Sequence, residues 1–322
     1  MRRVLPALVL LAAFSGLVQA AQKGSCGQEL LAEPALLMTP GGDVYIEATL
    51  GEQPVYFSLS MMSGLPLVAE SSARALGLTP RPMNGGGNFR NGDQRVTHFV
   101  SLEGLSLDGY RLLKRAAPVL PQEAGQEEAR RLQGRVVAGV LGSDIFRNVD
   151  VELMLGEGRL RLYRSVKCTR GKLVDWQDDA ARMAARFDQA GTLVFNLELG
   201  GQVVESALLS GSALSVLDRE LAVRFLGLDP EDDSGSMPLT LRGNGRHLAE
   251  LQARLRPGPD CKFVSRRPVH GSIGYECVNI VPFQLGTEVL SQMRVYISKE
   301  QASVLIAPMP GQPASQEALA AR

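Results

Sequence analysis

Two stretches decide how this chain folds: VYIEATLGEQPVYFSLS, residues 44–60, and LVFNLELGGQVVESALL, residues 193–209. In the first, an alternating run from Val44 to Leu50 meets a turn at Gly51-Glu52 and returns through residues 54–59. In the second, Leu193 to Leu199 alternates, Gly200-Gly201 turns, and residues 203–209 return. Each reads as a β-hairpin, because alternation with period two gives one buried and one exposed face and glycine supplies the turn. Downstream of the first comes Ala73-Arg74-Ala75-Leu76-Gly77-Leu78, a short helix stopped by glycine. Downstream of the second, Asp218 opens a helical pattern that ends at Leu226-Gly227-Leu228.

An offset of 149 superposes the two stretches, pairing Gln53 with Gln202, Val55 with Val204, Ser63 with Ser212, Leu65 with Leu214 and Ala73 with Ala222. A later match lies at offset 144: Leu141-Gly142-Ser143-Asp144-Ile145-Phe146 against Leu285-Gly286-Thr287-Glu288-Val289-Leu290. β-rich runs follow at 149–163 and 295–306. Chance alternation would not reproduce the order of hairpin, short helix and Leu-Gly-x-acid segment, so the chain reads as two copies of one unit.

The ends and the middle read differently. Residues 1–20, MRRVLPALVLLAAFSGLVQA, have a basic start, an apolar centre and small residues before a cleavage point after Ala20, the pattern of a secretory signal peptide. The apolar run is short of the ~20 residues a membrane span needs, and no later segment is long enough. Between the copies, Trp176, Ala180, Met183, Ala184 and Phe187 recur at helical spacing, with Asp175, Asp178 and Asp179 near the start. This predicts an inter-lobe helix over 172–189, within a linker at 169–190. Residues 307–322, rich in Pro, Ala and Gln, read as a disordered tail.

Composition narrows the function. Lys plus Arg and Asp plus Glu each total 34, so the formal charge is zero, which argues against a broad nucleic-acid-binding face. The cysteines, Cys26, Cys168, Cys261 and Cys277, are even in number in an exported chain and suggest disulfides. Of the three pairings, the favoured one joins Cys261 to Cys277, close in sequence, and Cys26 to Cys168. A metal site is disfavoured because there is no Cys-x-x-Cys and the three His are scattered. No cofactor signature is present. The glycines Gly85, Gly86 and Gly87 lack the Gly-Lys-Ser/Thr ending of a phosphate loop and precede strands. The basic clusters at 111–115 and 262–267 are short and read as solvated strand edges.

Hairpin, motif loop, helix ending Leu-Gly-Leu and later Leu-Gly-x-acid segment together resemble retropepsin-like aspartic proteases. Two units in one chain look like the bilobal, pepsin-like arrangement. The resemblance implies an all-β fold of two duplicated barrel units with a few short helices: lobe 1 at 21–168, lobe 2 at 191–306, and a deep cleft between. The family motif Asp-Thr-Gly-Ala-Ser falls on Ser60-Met61-Met62-Ser63-Gly64 and on Leu209-Ser210-Gly211-Ser212-Ala213. The catalytic Asp positions thus hold Ser60 and Leu209; a one-residue slip would put Ser210 in the second place. Neither register supplies a carboxylate. The family's two carboxylates share a proton and activate a water; a hydroxyl and an isobutyl group do neither, and ~10²–10⁴-fold of general acid–base help goes with them.

Other chemistry is poorly provided for. Asp144 and Glu288 match in the repeat but fall in a structural segment, and Asp43, Asp93 and Asp150 have no partner at repeat spacing. A serine nucleophile at 60, 63, 210 or 212 needs a histidine base; His98 lies in the expected flap of lobe 1 and His247 in a comparable stretch of lobe 2, and both read better as surface or flap histidines. No Gly-x-Ser-x-Gly elbow occurs. The flap itself is placed at Gly85, Gly86, Gly87, Phe89 and His98. The expectation is a noncatalytic periplasmic or secreted protein that binds a peptide or protein segment by strand addition. Its cleft floor would be formed by Ser60, Met61, Met62, Ser63, Leu209, Ser210, Gly211 and Ser212. No nucleic acid and no membrane span after signal cleavage are expected. The rivals are a hydrolase using noncanonical residues and an envelope scaffold with a vestigial cleft.

Overall fold

The computed structural model describes residues 26, 28–83, 89–91, 94–112, 116–121, 128–168, 171–188, 191–256 and 281–310. The expected leader, Cys261, Cys277, Gly85, Gly86 and Gly87 lie outside them. Both expected hairpins form. Strand Val44–Leu50 pairs antiparallel with Gln53–Ser60, and Leu193–Leu199 with Gln202–Leu208. Their burial alternates as the sequence does, with Ile46, Phe57, Leu197 and Val204 fully buried. Each return strand then pairs in parallel with a distant segment: Gln53–Ser60 with Arg135–Gly142, and Gln202–Leu208 with Phe283–Leu285. Those segments lead into the Leu-Gly that precedes Ser143 and Thr287, so each unit closes back on its own motif loop.

The short helices fall where glycine and capping chemistry put them. Helix Glu70–Ala75 stops before Gly77, whose φ of 67° suits glycine. Helix Arg219–Phe225 is capped by the Asp218 carboxylate, which accepts from the backbone N–H of Glu220 and Leu221. Phe89–Asn91 and Gln94–Val96 form a separate two-stranded ribbon where the flap was expected.

The halves are joined by sheet as well as by chain. A 12-stranded sheet runs from Leu30–Ala32 through Arg159–Arg164 and Val149–Met154 to Met293–Ser298 and Ser303–Pro308, then on through Ala181–Phe187 into the second hairpin unit. An 11-stranded sheet makes up most of the first unit. One apolar core passes through both. This corrects the inter-lobe helix. Residues 181–187 are a strand, preceded by a single 3-10 turn at Gln177–Asp179. Burial here has period two: Ala181 and Met183 are buried, while Arg182 and Ala184, the latter a member of the expected helical stripe, face out. The strand is stabilised by ladders on both sides, to Ser303–Pro308 and to Leu193–Leu199. Strand Ser303–Pro308 also runs past the expected end of the second unit at 306.

Two buried carboxylates fasten this junction. Asp150 and Glu152 share the face of Val149–Met154 that points away from Val151 and Leu153. Asp150, fully buried, accepts from Ser165 Oγ at 2.8 Å, Tyr296 OH at 3.0 Å, Ser298 Oγ at 3.2 Å and the Lys299 N–H at 3.0 Å. Three of those donors belong to the second unit. Glu152 accepts from Trp176 Nε1 and from Tyr163 OH, each at 2.9 Å. Burial, and then the neighbouring carboxylates, push both tyrosine phenols above their ordinary range, so they remain donors. At the outer edge, Cys26 and Cys168 form the expected disulfide. Glu29 pairs with Arg164, and Glu33 with Arg159 and Arg161, holding the first strand to Arg159–Arg164.

Asp150→Ala would leave several buried donors without an acceptor. It is expected to lower the unfolding free energy by about 3 kcal/mol, read from the urea midpoint. A loss below about 0.5 kcal/mol would show that the carboxylate does not fasten the halves.

Candidate functional site

The two motif loops meet at the junction of the halves, and their contacts obey the 149-residue offset. Gly42 and Gly191, two-fold mates, close tight turns with φ of 85° and 84°. A Cβ on Gly42 would lie 2.2 Å from the Ala213 nitrogen, and one on Gly191 would lie 2.5 Å from the Gly64 Cα. Gly64 and Ala213 are themselves mates. Each turn therefore packs against the motif loop of the opposite half, at a separation only glycine permits.

Hydroxyls tie these contacts together. Ser143 Oγ lies within reach of the Ser63 carbonyl at 3.1 Å and also donates to the Gly191 carbonyl. Thr287 Oγ1 sits 3.1 Å from the Ser212 carbonyl and 3.1 Å from the Gly42 carbonyl. Each hydroxyl spans its own motif loop and the opposing turn. The backbone N–H groups of Ser143 and Thr287 donate to the same Ser63 and Ser212 carbonyls.

At the centre, Ser210 Oγ accepts from the Met61 N–H at 3.1 Å and donates to the Leu59 carbonyl at 2.6 Å. Met61 and Ser210 are mates at offset 149, so this contact lies on the pseudo-two-fold axis and favours the register with Leu209, rather than Ser210, opposite Ser60. The interaction is one-sided, since Met61 has no hydroxyl to return it. Both residues are 1% exposed, which corrects their expected place in the floor. Met61 fills core, and the Ser210 hydroxyl is spent between the halves. Ser60, Met62, Ser63, Leu209 and Ser212 are half-buried and Gly211 is exposed, and these make the accessible part. Met62 leans on Val194, Ala207 and Val281 of the second half, and its carbonyl accepts from Thr192 Oγ1 at 3.0 Å.

The polar groups of this region are largely committed. Ser60 Oγ accepts from the Ser63 N–H at 3.2 Å. Ser63 Oγ and Ser212 Oγ donate to the carbonyls of Leu65 and Leu214, two residues on. His98 pairs with Thr97 and His247 with Glu250, so neither is bonded to a motif serine. Glu288 accepts from the Ser215 N–H, and Asp144 is buried. Among the described residues no group of three or more His, Cys, Asp or Glu could hold a metal ion, and no helix is long and apolar enough to cross a membrane.

Sequence reasoning missed Gly42, Gly191, Thr192, Ser143 and Thr287. The signal was present: Gly42 and Gly191 match at offset 149, and Ser143 and Thr287 are the small hydroxyl pair at offset 144.

No family model and no curated protein matches the sequence. Among solved structures, an aspartic proteinase from Irpex lacteus is similar with a TM-score of 0.50 at 8% identity, over 87% of this chain and 97% of that one. The likeness is one of fold: the chain has the all-β, two-lobed architecture of an aspartic proteinase.

Ser210→Ala removes the hydroxyl at the axis and strands the Met61 N–H and the Leu59 carbonyl. A stability loss of about 2 kcal/mol is expected, while Ser210→Thr keeps the hydroxyl and should lose under half of that. Equal losses in the two variants would contradict the assigned role.

Proposed function

We propose that this is an exported, noncatalytic binding protein that holds an extended peptide or protein segment between its two lobes. The observation that carries the reading is the content of the two-fold-related positions 60 and 209. They hold Ser and Leu, where a fold of this kind would use two carboxylates sharing a proton. Without them, the pair of carboxylates that would share a proton and activate a water is missing from these two positions. The serine-nucleophile alternative gains no support among the described residues, because Ser210 is buried with its hydroxyl engaged on both sides and neither His98 nor His247 is bonded to a motif serine.

What remains is suited to binding. Two motif loops are held rigidly side by side, with Met62 and Leu209 as apolar surface and Gly211 open. Leu65 and Leu214, mates at offset 149, stand 43% and 44% exposed just beyond each loop. A strand laid across such a floor gains backbone hydrogen bonds that need no catalytic side chain, and methionine adapts to varied neighbours. Export is supported by the leader-like residues 1–20 and by the Cys26–Cys168 disulfide, which persists in oxidising compartments.

Gly211 offers a clean test. A Cβ there meets nothing within 4 Å, so Gly211→Trp should fill the space above the floor without unfolding the protein. Peptides selected on the natural protein from a random library are expected to bind the variant at least ~10-fold more weakly at an unchanged melting temperature. Unaltered binding would move the ligand away from the floor and sink the reading.

A further inference from the structure

The two turns that press on the motif loops are built alike but spend their side chains differently. In both, the backbone pattern is the same: the Thr39 N–H donates to the Asp43 carbonyl and the Asp188 N–H to the Thr192 carbonyl, each at 2.9 Å. The Gly42 and Gly191 N–H groups close them onto the Thr39 and Asp188 carbonyls. In the second turn both polar side chains are consumed by the fold. Asp188 accepts from the Thr192 N–H at 2.8 Å, and Thr192 Oγ1 donates to Met62 of the opposite loop. In the first turn the residue types are exchanged, and the carboxylate stands at the position facing the opposite loop. Asp43 is bridged through its backbone to Gly211, the exposed glycine of the second motif. Its side chain is 41% exposed and does not serve the turn.

Among the described residues, its cationic neighbour is Arg130, which is loosely held. Arg130 approaches Asp43 at 3.9 Å, is 63% exposed, and rests over the Tyr45 ring with its guanidinium carbon 5.3 Å from the centroid. An exposed pair at that distance contributes little and exchanges at little cost. The Tyr45 phenol is raised by burial, opposed by Arg130 and reinforced by Asp43, so it stays neutral.

We propose that Asp43 is a recognition residue of the inter-lobe site: its carboxylate takes a cationic group of the bound segment, a lysine or arginine side chain or a terminal amine. The proposal rests on the binding reading above and adds a polarity to it. The two ends of a pseudo-symmetric floor differ by one charge, Asp43 against Thr192, so a segment with a basic residue lies across it in one direction. Arg130 holds the carboxylate in the absence of ligand and swings away over Tyr45 when a better-placed cation makes a short charge-assisted hydrogen bond.

The test uses blocked seven-residue peptides of Ala, Val and Leu, carrying a single lysine, norleucine or glutamate at each position in turn. Binding to the disulfide-bonded protein is read by fluorescence anisotropy. At one position lysine should be preferred to norleucine by roughly tenfold, and glutamate disfavoured. In Asp43→Asn the lysine-to-norleucine ratio at that position should fall to about one, whereas Arg130→Gln should keep or enlarge it. A ratio near one in the natural protein, with norleucine peptides binding, would overturn the role of Asp43 and leave the binding reading intact. So would a ratio that survives Asp43→Asn. Failure of every peptide to bind would overturn both.

Discussion

Everything near the two-fold axis depends on a pair of hydroxyls that each touch both halves. Ser143 joins the Ser63 loop to the turn at Gly191, and Thr287 joins the Ser212 loop to the turn at Gly42. The glycines make the approach sterically possible, and the hydroxyls make it favourable by reaching the Gly191 and Gly42 carbonyls of the opposing turns. Asp150 repeats the logic in the shared sheet, where a carboxylate from the first half gathers donors from the second. Lobe geometry is thus fixed by small polar groups at close quarters, with the continuous apolar core supplying the bulk of the burial.

None of these contacts uses the side chain of residue 209, and residue 60 contributes only an acceptor for the Ser63 N–H. The scaffold is therefore indifferent to whether those positions carry carboxylates. The one-sided contact of Ser210 with Met61 shows the same tolerance: one hydroxyl at the axis suffices when its partner has become core. A fold fastened in this way holds its inter-lobe interface whatever side chains stand at 60 and 209, which is compatible with the proposed binding role.

Much of this was legible in the chain. Hairpins announced themselves by period-two alternation around glycine turns, the helix after Asp218 by its cap, and the duplication by its offset. The Cys26–Cys168 bridge belongs to the favoured one of three pairings that the cysteine count leaves open. The segment 181–187 is a strand although Met183 and Phe187 fit helical spacing, because they fit period two as well, whereas Ala184 of the helical stripe faces out. Which one wins is decided by the ladders to Ser303–Pro308 and Leu193–Leu199, and local sequence carries no trace of such distant pairing. The burial of Met61 and Ser210 was hidden for a similar reason, as their neighbours come from the opposite half. At Ser143 and Thr287 the repeat was seen but the acids beside them drew the chemistry, although it is the hydroxyls that bridge the halves. Asp43 has no acidic mate in the repeat, its counterpart being Thr192, and that asymmetry is what sets it apart.

The most direct measurement is a digest of a diverse peptide library by the purified, disulfide-bonded protein across pH 3–8, read by mass spectrometry, beside a sample carrying Ser60→Asp and Leu209→Asp. The account predicts no cleavage by the natural protein at any pH, whatever the double variant does. Reproducible cleavage that survives repurification and is lost in Ser60→Ala would contradict it.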